Sequence, residues 1–137
     1  MNSESGVRGS FCVTVITLFP EFIEQAVSHS ILGRAIAAGL LTVRVVNPRD
    51  YAANRHKTVD DYPFGGGAGM VMKAEPLVAA IEASRHETAT TTPIIYMSPA
   101  GTPLTQSIAT ELSLLDGITL VCGHYEGIDE RVREHWI

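Results

Sequence analysis

Two stretches carry residue types that can do chemistry: CGHYEGIDERV at residues 122–132 and HKTVDDYPFGGGAGMVMK at 56–73. In the first, Gly123 and Gly127 bracket His124, Tyr125 and Glu126. Glycines at a strand's exit let backbone N–H and C=O groups face a ligand directly. Tyr125 offers an aromatic face on which a planar ring can stack. Asp129 suits a helix cap, with Glu130 in the first turn behind it. His124 and Glu126 suggest an acid–base pair, yet alternate residues on an extended stretch need not meet. The second stretch sets four glycines, Gly65, Gly66, Gly67 and Gly69, around Ala68.

Glycine clusters often cradle phosphates, but this one fails both common templates. A phosphate-binding P-loop needs GxxxxGK followed by Ser or Thr, and no Gly-Lys-Ser or Gly-Lys-Thr occurs in the chain. A dinucleotide fingerprint needs GxGxxG straight after a strand, whereas Met70 and Met72 fill the third glycine's place in the two possible frames. An NAD- or ATP-dependent enzyme is therefore disfavoured. What the cluster does offer is backbone without side-chain bulk, which another surface can approach closely. The plainer alternative is a surface loop. No CxxC or HxxxH spacing is present, so no metal site is expected.

The elements that must position these stretches can be read from the apolar pattern. FCVTVITLF (11–19) predicts a buried strand. Pro20 suits a helix N1 position before PEFIEQAV. SILGRAIAA predicts a second helix from Ser30, closed by Gly39 as its C′ residue. LLTVRVV (40–46) reads as a strand, and 48–73 as one long loop, a length that usually signals function or disorder. A helix is expected at about 75–84, then HETATTT as a polar linker and PIIYM as a strand. The turn SPAGTP comes next. Thr105 should cap a helix to about Leu114, and ITLVC (118–122) should be another buried strand. Strands alternating with helices imply an α/β fold with a mostly parallel sheet. Ligands of such sheets sit beyond the carboxyl ends of the strands, here at SPAG and GHYEG.

Bulk properties set limits. The chain has 137 residues, one domain's worth, with 45% hydrophobic and 18% charged residues. Its net charge of −5 argues against indiscriminate nucleic-acid binding. Local charge differs: Arg44, Arg49, Arg55 and Lys57 face only Asp50 between residues 44 and 57, a basic loop that can hold a polyanion or simply be solvated. No apolar run is long enough for a membrane span, and residues 1–10 read as a polar tail without a signal peptide's apolar segment. Cys12 and Cys122 sit in apolar runs and are expected as reduced, buried thiols of a cytoplasmic protein.

Together, ITLFPEF, ILGRAIAAGLL, NPRDY, RHKTVDDYPFGGGAGMVM, YMSPAG and LVCGHYEGIDERV, ordered between Val13 and Val132, resemble the N-terminal, SPOUT-type domain of the bacterial tRNA (guanine-N1)-methyltransferases, the TrmD family. The resemblance implies methyl transfer from S-adenosylmethionine to N1 of the guanosine just 3′ of the tRNA anticodon. It implies a trefoil-knotted α/β domain over residues 11–137, an exception to the rule against knots. A homodimer with active sites shared between subunits is also implied, with no membrane role. By the same resemblance, Tyr96, Met97, Ser98, Pro99, Gly101, Gly123, Tyr125, Glu126 and Gly127 would hold the cofactor. Arg55, His56, Asp60, Gly65, Gly66, Gly67, Gly69 and His124 would meet tRNA. Mg2+ is left open.

Three positions depart from the family's usual residues: Ala100 for glutamine, His124 for arginine and Ala68 for proline. The chain ends at REHWI, whereas the family continues with a glycine-containing loop that closes the knot, a linker and a helical domain. The family's catalytic aspartate and a key arginine lie in that continuation. No catalytic residue is therefore assigned within these 137 residues, and the chain by itself is expected to leave the knot incomplete and to be inactive. The alternative is a non-catalytic RNA-binding or dimerisation module of the same fold.

Overall fold

The computed structural model describes residues 9–52, 60–61, 71–72, 74–87, 92–123 and 130–137. Strand β1 (Phe11–Ile16) leads into α1 (Pro20–Val27), with Pro20 in the first turn. The strand is shorter than the apolar run, because residues 17–19 already form the turn; there Thr17 Oγ1 accepts the Phe19 N–H at 3.1 Å. A two-residue corner joins α1 to α2 (Ser30–Ala37). The corner makes Ser30 the first helical residue, not the cap. His29 occupies the cap in extended backbone, and Ser30 has φ +57, in the left-handed region that costs a side chain about 1–2 kcal/mol. At the other end Gly39 is the expected C′ residue. With φ +76 it donates to Ile36 O at 3.0 Å while Leu40 N–H reaches Ala35 O at 2.9 Å. That pair of bonds is a Schellman closure, and it turns the chain into β2 (Leu41–Val46).

The segment 48–73 is not featureless. Pro48–Tyr51 form a 3-10 turn that Asn47 Oδ1 caps by accepting the Arg49 N–H at 3.0 Å. Strands β3 (Asp60–Asp61) and β4 (Val71–Met72) pair antiparallel, Asp60 with Met72 and Asp61 with Val71. They gather the two ends of the glycine-rich stretch. Helix α3 (Ala74–Glu87) runs three residues beyond Ser84 into HETATTT. Strand β5 (Ile94–Met97), helix α4 (Gln106–Ser113), strand β6 (Gly117–Cys122) and helix α5 (Glu130–Trp136) follow. Thr105 caps α4 as expected, its Oγ1 accepting from Ile108 N–H at 3.2 Å.

Four strands form one parallel sheet in the order β2-β1-β6-β5. The right-handedness of parallel crossovers then fixes the layers. The steps β1→β2 and β5→β6 run in one direction across the sheet, so α1, α2 and α4 cover one face. The step β2→β5 runs the other way and puts α3 on the opposite face. The core lies under α3. Leu77, Ala80 and Ile81, at helical spacing, meet Ile16, Leu18 and Val121 from the sheet side and Val132 from α5. Strand β6 records the asymmetry: Gly117, Thr119 and Val121 are buried, and Ile118, Leu120 and Cys122 half-buried. The α3 face also holds a polar row that the apolar runs conceal, because Arg44, Thr14 and Thr119 stand in register on β2, β1 and β6. Thr14 is buried, and its hydroxyl oxygen has no hydrogen-bond partner among the described residues.

Cys12 and Cys122 are free thiols, but both are half-buried rather than enclosed. Cys122 faces away from the core position beside it, Val121, whereas Cys12 shares the face of Thr14 and Ile16 but stands near the start of β1, so an apolar run alone overstates the burial of both.

Candidate functional site

Strands β5 and β6 are parallel neighbours, with Tyr96 opposite Val121 and Met97 opposite Cys122. The two glycine-bearing loops therefore leave the sheet side by side, at Ser98 and Gly123. The helices that follow them go to opposite faces: α4 to the side of α1 and α2, α5 to α3. Divergence of that kind marks the carboxyl ends as the candidate crevice, the usual ligand position in parallel α/β sheets.

Local sequence chemistry shapes the first rim of the crevice. Ser98-Pro99-Ala100-Gly101 is a β-turn closed by Gly101 N–H to Ser98 O at 3.2 Å, and Ser98 Oγ accepts the Ala100 N–H at 3.1 Å. Serine first, proline second and glycine last is the order such a turn prefers. A Cβ at Gly101 would sit 3.4 Å from Ser98 O, in ordinary contact with the turn. Pro99, Ala100 and Gly101 are exposed, and Met97 is 54% exposed beside them. The second rim begins at Gly123, exposed and bordered by the half-buried Tyr96 ring. Of the residues expected to hold a cofactor, Tyr96, Met97, Ser98, Pro99, Gly101 and Gly123 thus come together. Tyr125, Glu126 and Gly127 lie outside the described residues, as does His124.

Of the residues expected to meet tRNA, Arg55, His56, Gly65, Gly66, Gly67 and Gly69 also lie outside the described residues. Asp60 is described through its backbone alone, in β3. Among the described residues no group of three or more His, Cys, Asp or Glu is placed to hold a metal ion. No helix among them is long and apolar enough to cross a membrane.

Burial pushes the Cys122 thiol above its usual value of 9.0, so at neutral pH it is a protonated, weakly reactive neighbour of the crevice. Thr17 and Leu18, at the end of the run expected to be buried, are buried just beyond the carboxyl end of β1. One feature escaped the sequence reading. A cleft of about 370 Å³ lies at the end of β2 between Arg44, Asn47, Asp50, Tyr51 and Ala83. Only an arginine interrupting an apolar strand hinted at it.

The profile of the family described as tRNA (guanine-1)-methyltransferase TrmD matches residues 11–137. The chain belongs to the TrmD family. A curated TrmD-type relative from Staphylococcus epidermidis, named tRNA (guanine-N(1)-)-methyltransferase, is 50% identical over 125 residues, 91% of this chain and 50% of its own length. A namesake from Chloroflexus aggregans is 52% identical over 123 residues, 90% of this chain and 48% of its own. The crystal structure of the tRNA (m1G37) methyltransferase from Aquifex aeolicus superposes with a TM-score of 0.80 at 34% identity, covering 91% of this chain and 56% of that one. The chain thus spans about half the length of the curated TrmD relatives it matches. The likeness to the Aquifex structure supports the expected SPOUT-type α/β fold of the TrmD domain.

Proposed function

We propose that these residues form the methyl-donor half of a tRNA (guanine-N1)-methyltransferase, acting on N1 of the guanosine 3′ of the anticodon with S-adenosylmethionine as donor. The observation that carries the reading is the paired exit of β5 and β6, with the SPAG turn and the start of CGHYEG adjoining where their helices diverge. The residues fit such a group. An exposed backbone turn offers carbonyl groups to a purine, glycine keeps bulk away, and Met97 supplies an apolar surface. S-adenosylmethionine, when bound, supplies an electrophilic methyl group on a sulfonium.

The chain's own contribution is positional. Ser98 locks the turn through its hydroxyl and carbonyl, so the cradle needs no reordering when the donor arrives. Holding two reactants at near-attack distance can lower a barrier by about 7 kcal/mol or more. Guanine N1 must also lose its proton, which requires a general base. The 137 residues assign none, and the proposal puts that base in the continuation found in longer family members. The loop with Arg55, His56, Asp60 and the glycines 65–67 and 69 is proposed to receive the RNA, since β3 and β4 bring its ends together.

A second copy of the chain is the proposed partner on the α1–α2 face. Neither helix has a buried residue, and Phe22, Ile31 and Leu40 are each about two-thirds exposed or more. Apolar surface of that extent on a monomer marks an interface.

The test is transfer of labelled methyl from S-adenosylmethionine to unmodified tRNA by these residues joined to the continuation found in longer family members, with the product nucleoside identified. N1-methylguanosine at the position 3′ of the anticodon is expected. Binding of tRNA and donor without any methyl transfer would leave the non-catalytic RNA-binding module as the correct reading.

A further inference from the structure

Gly123 and Tyr96 stand in a relation that the sequence does not disclose. Tyr96 pairs with Val121, and Gly123 follows two residues later, directly after the end of β6. A diagonal cross-strand neighbour at that offset is within reach of an aromatic ring. A Cβ at Gly123 would lie 3.0 Å from Tyr96 Cε1, 3.1 Å from its Oη and 3.5 Å from Cζ. Those atoms are the far edge of the ring. The ring therefore points along β6 toward its carboxyl end and fills the space a side chain at 123 would need. It cannot swing aside freely, because Tyr96 also packs against the core cluster that contains Ile16 and Val121.

We infer that Tyr96 is a positioning residue whose ring, seated on Gly123, fixes the point where the chain leaves β6. The inference deepens the proposed donor site and rests on that reading. Glycine at 123 is then required for the ring rather than for a ligand. One side chain sets the origin of both rims, since the Ser98 turn starts two residues after Tyr96 and the other rim starts at Gly123. Aromatic rings laid over glycines on neighbouring strands are a known means of pinning sheet geometry.

The experiment is a double-mutant cycle in the full chain. S-adenosylhomocysteine affinity is measured by calorimetry and folding stability by urea titration. Gly123→Ala should weaken binding by about 10-fold or more, because the methyl group displaces a packed ring. Tyr96→Phe, which keeps the ring, should restore most of the binding that Tyr96→Ala loses. Tyr96→Ala should itself weaken binding, and adding Gly123→Ala to it should cost less than about 2-fold more. An equal cost of Gly123→Ala in both backgrounds would overturn the inference, since the glycine would then act on the ligand directly. If the parent binds no S-adenosylhomocysteine, the donor-site reading fails by itself. The urea cycle then decides alone: non-additive stabilities uphold the seating of the ring and additive ones overturn it.

Discussion

Thr14 shows how a single side chain can work against the fold it belongs to. Its hydroxyl is buried in the central strand without a partner among the described residues, and an unsatisfied polar group of that kind costs about 1–3 kcal/mol. Thr14→Val keeps the shape and removes the unmet oxygen. It should raise urea stability by about 1 kcal/mol, and a loss of stability would mean that the hydroxyl is bonded after all. Cys122 makes a pH prediction. Its thiol is raised by burial, so the folded state holds the proton while the unfolded chain releases it. Stability contributed by the neutral thiol should be present below the ordinary thiol value and fall as pH climbs through it. Alkylation of Cys122 by iodoacetamide near pH 8 should accordingly run slower than for a small-molecule thiol, and an equal rate would contradict it. At this scale the sequence was legible where a residue's role is local. Ser98 in its turn, Gly39 as C′ and Thr105 as cap all act within four residues of themselves. The contact of Gly123 with the Tyr96 ring was not legible, because Tyr96 sits on another strand and only register brings the two together.

Among the elements, the α1–α2 corner is tightly constrained. A Cβ on Gly33 would lie 2.6 Å from the Ser28 carbonyl oxygen and 2.8 Å from its carbon. Gly33→Ala must therefore push the two helices apart and should cost about 2 kcal/mol by urea titration. Gly39→Ala meets no neighbour but forces a side chain into left-handed backbone, for about 1 kcal/mol. If Gly33→Ala proved the milder of the two, the close helix approach would be wrong. The parallel α/β class followed from alternation of strand and helix, and the ends of β2, β5 and β6 fell within one residue of their apolar runs. The pairing of β3 with β4 was not legible. It uses two aspartates, which strands disfavour, and it exists because the segment closes on itself rather than because of local propensity. The last turn of α3 was missed for a related reason: its polar residues carry no apolar stripe.

Over the whole molecule, the two faces of the sheet are unequal. One is sealed by α3 and α5; the other lies under three helices that bury no residue of their own. If a second copy covers the α1–α2 face, Phe22→Asp with Ile31→Asp should leave monomer stability within about 0.5 kcal/mol and lower the mass seen by light scattering. An unchanged mass would put the partner elsewhere. The central claim is that the β5 and β6 exits hold a methyl donor. Calorimetric titration of this 137-residue chain with S-adenosylhomocysteine, with NAD and ATP as controls, tests it most directly. Selective binding of S-adenosylhomocysteine is the predicted result. Equal binding of all three, or binding of NAD or ATP alone by the folded chain, would contradict it.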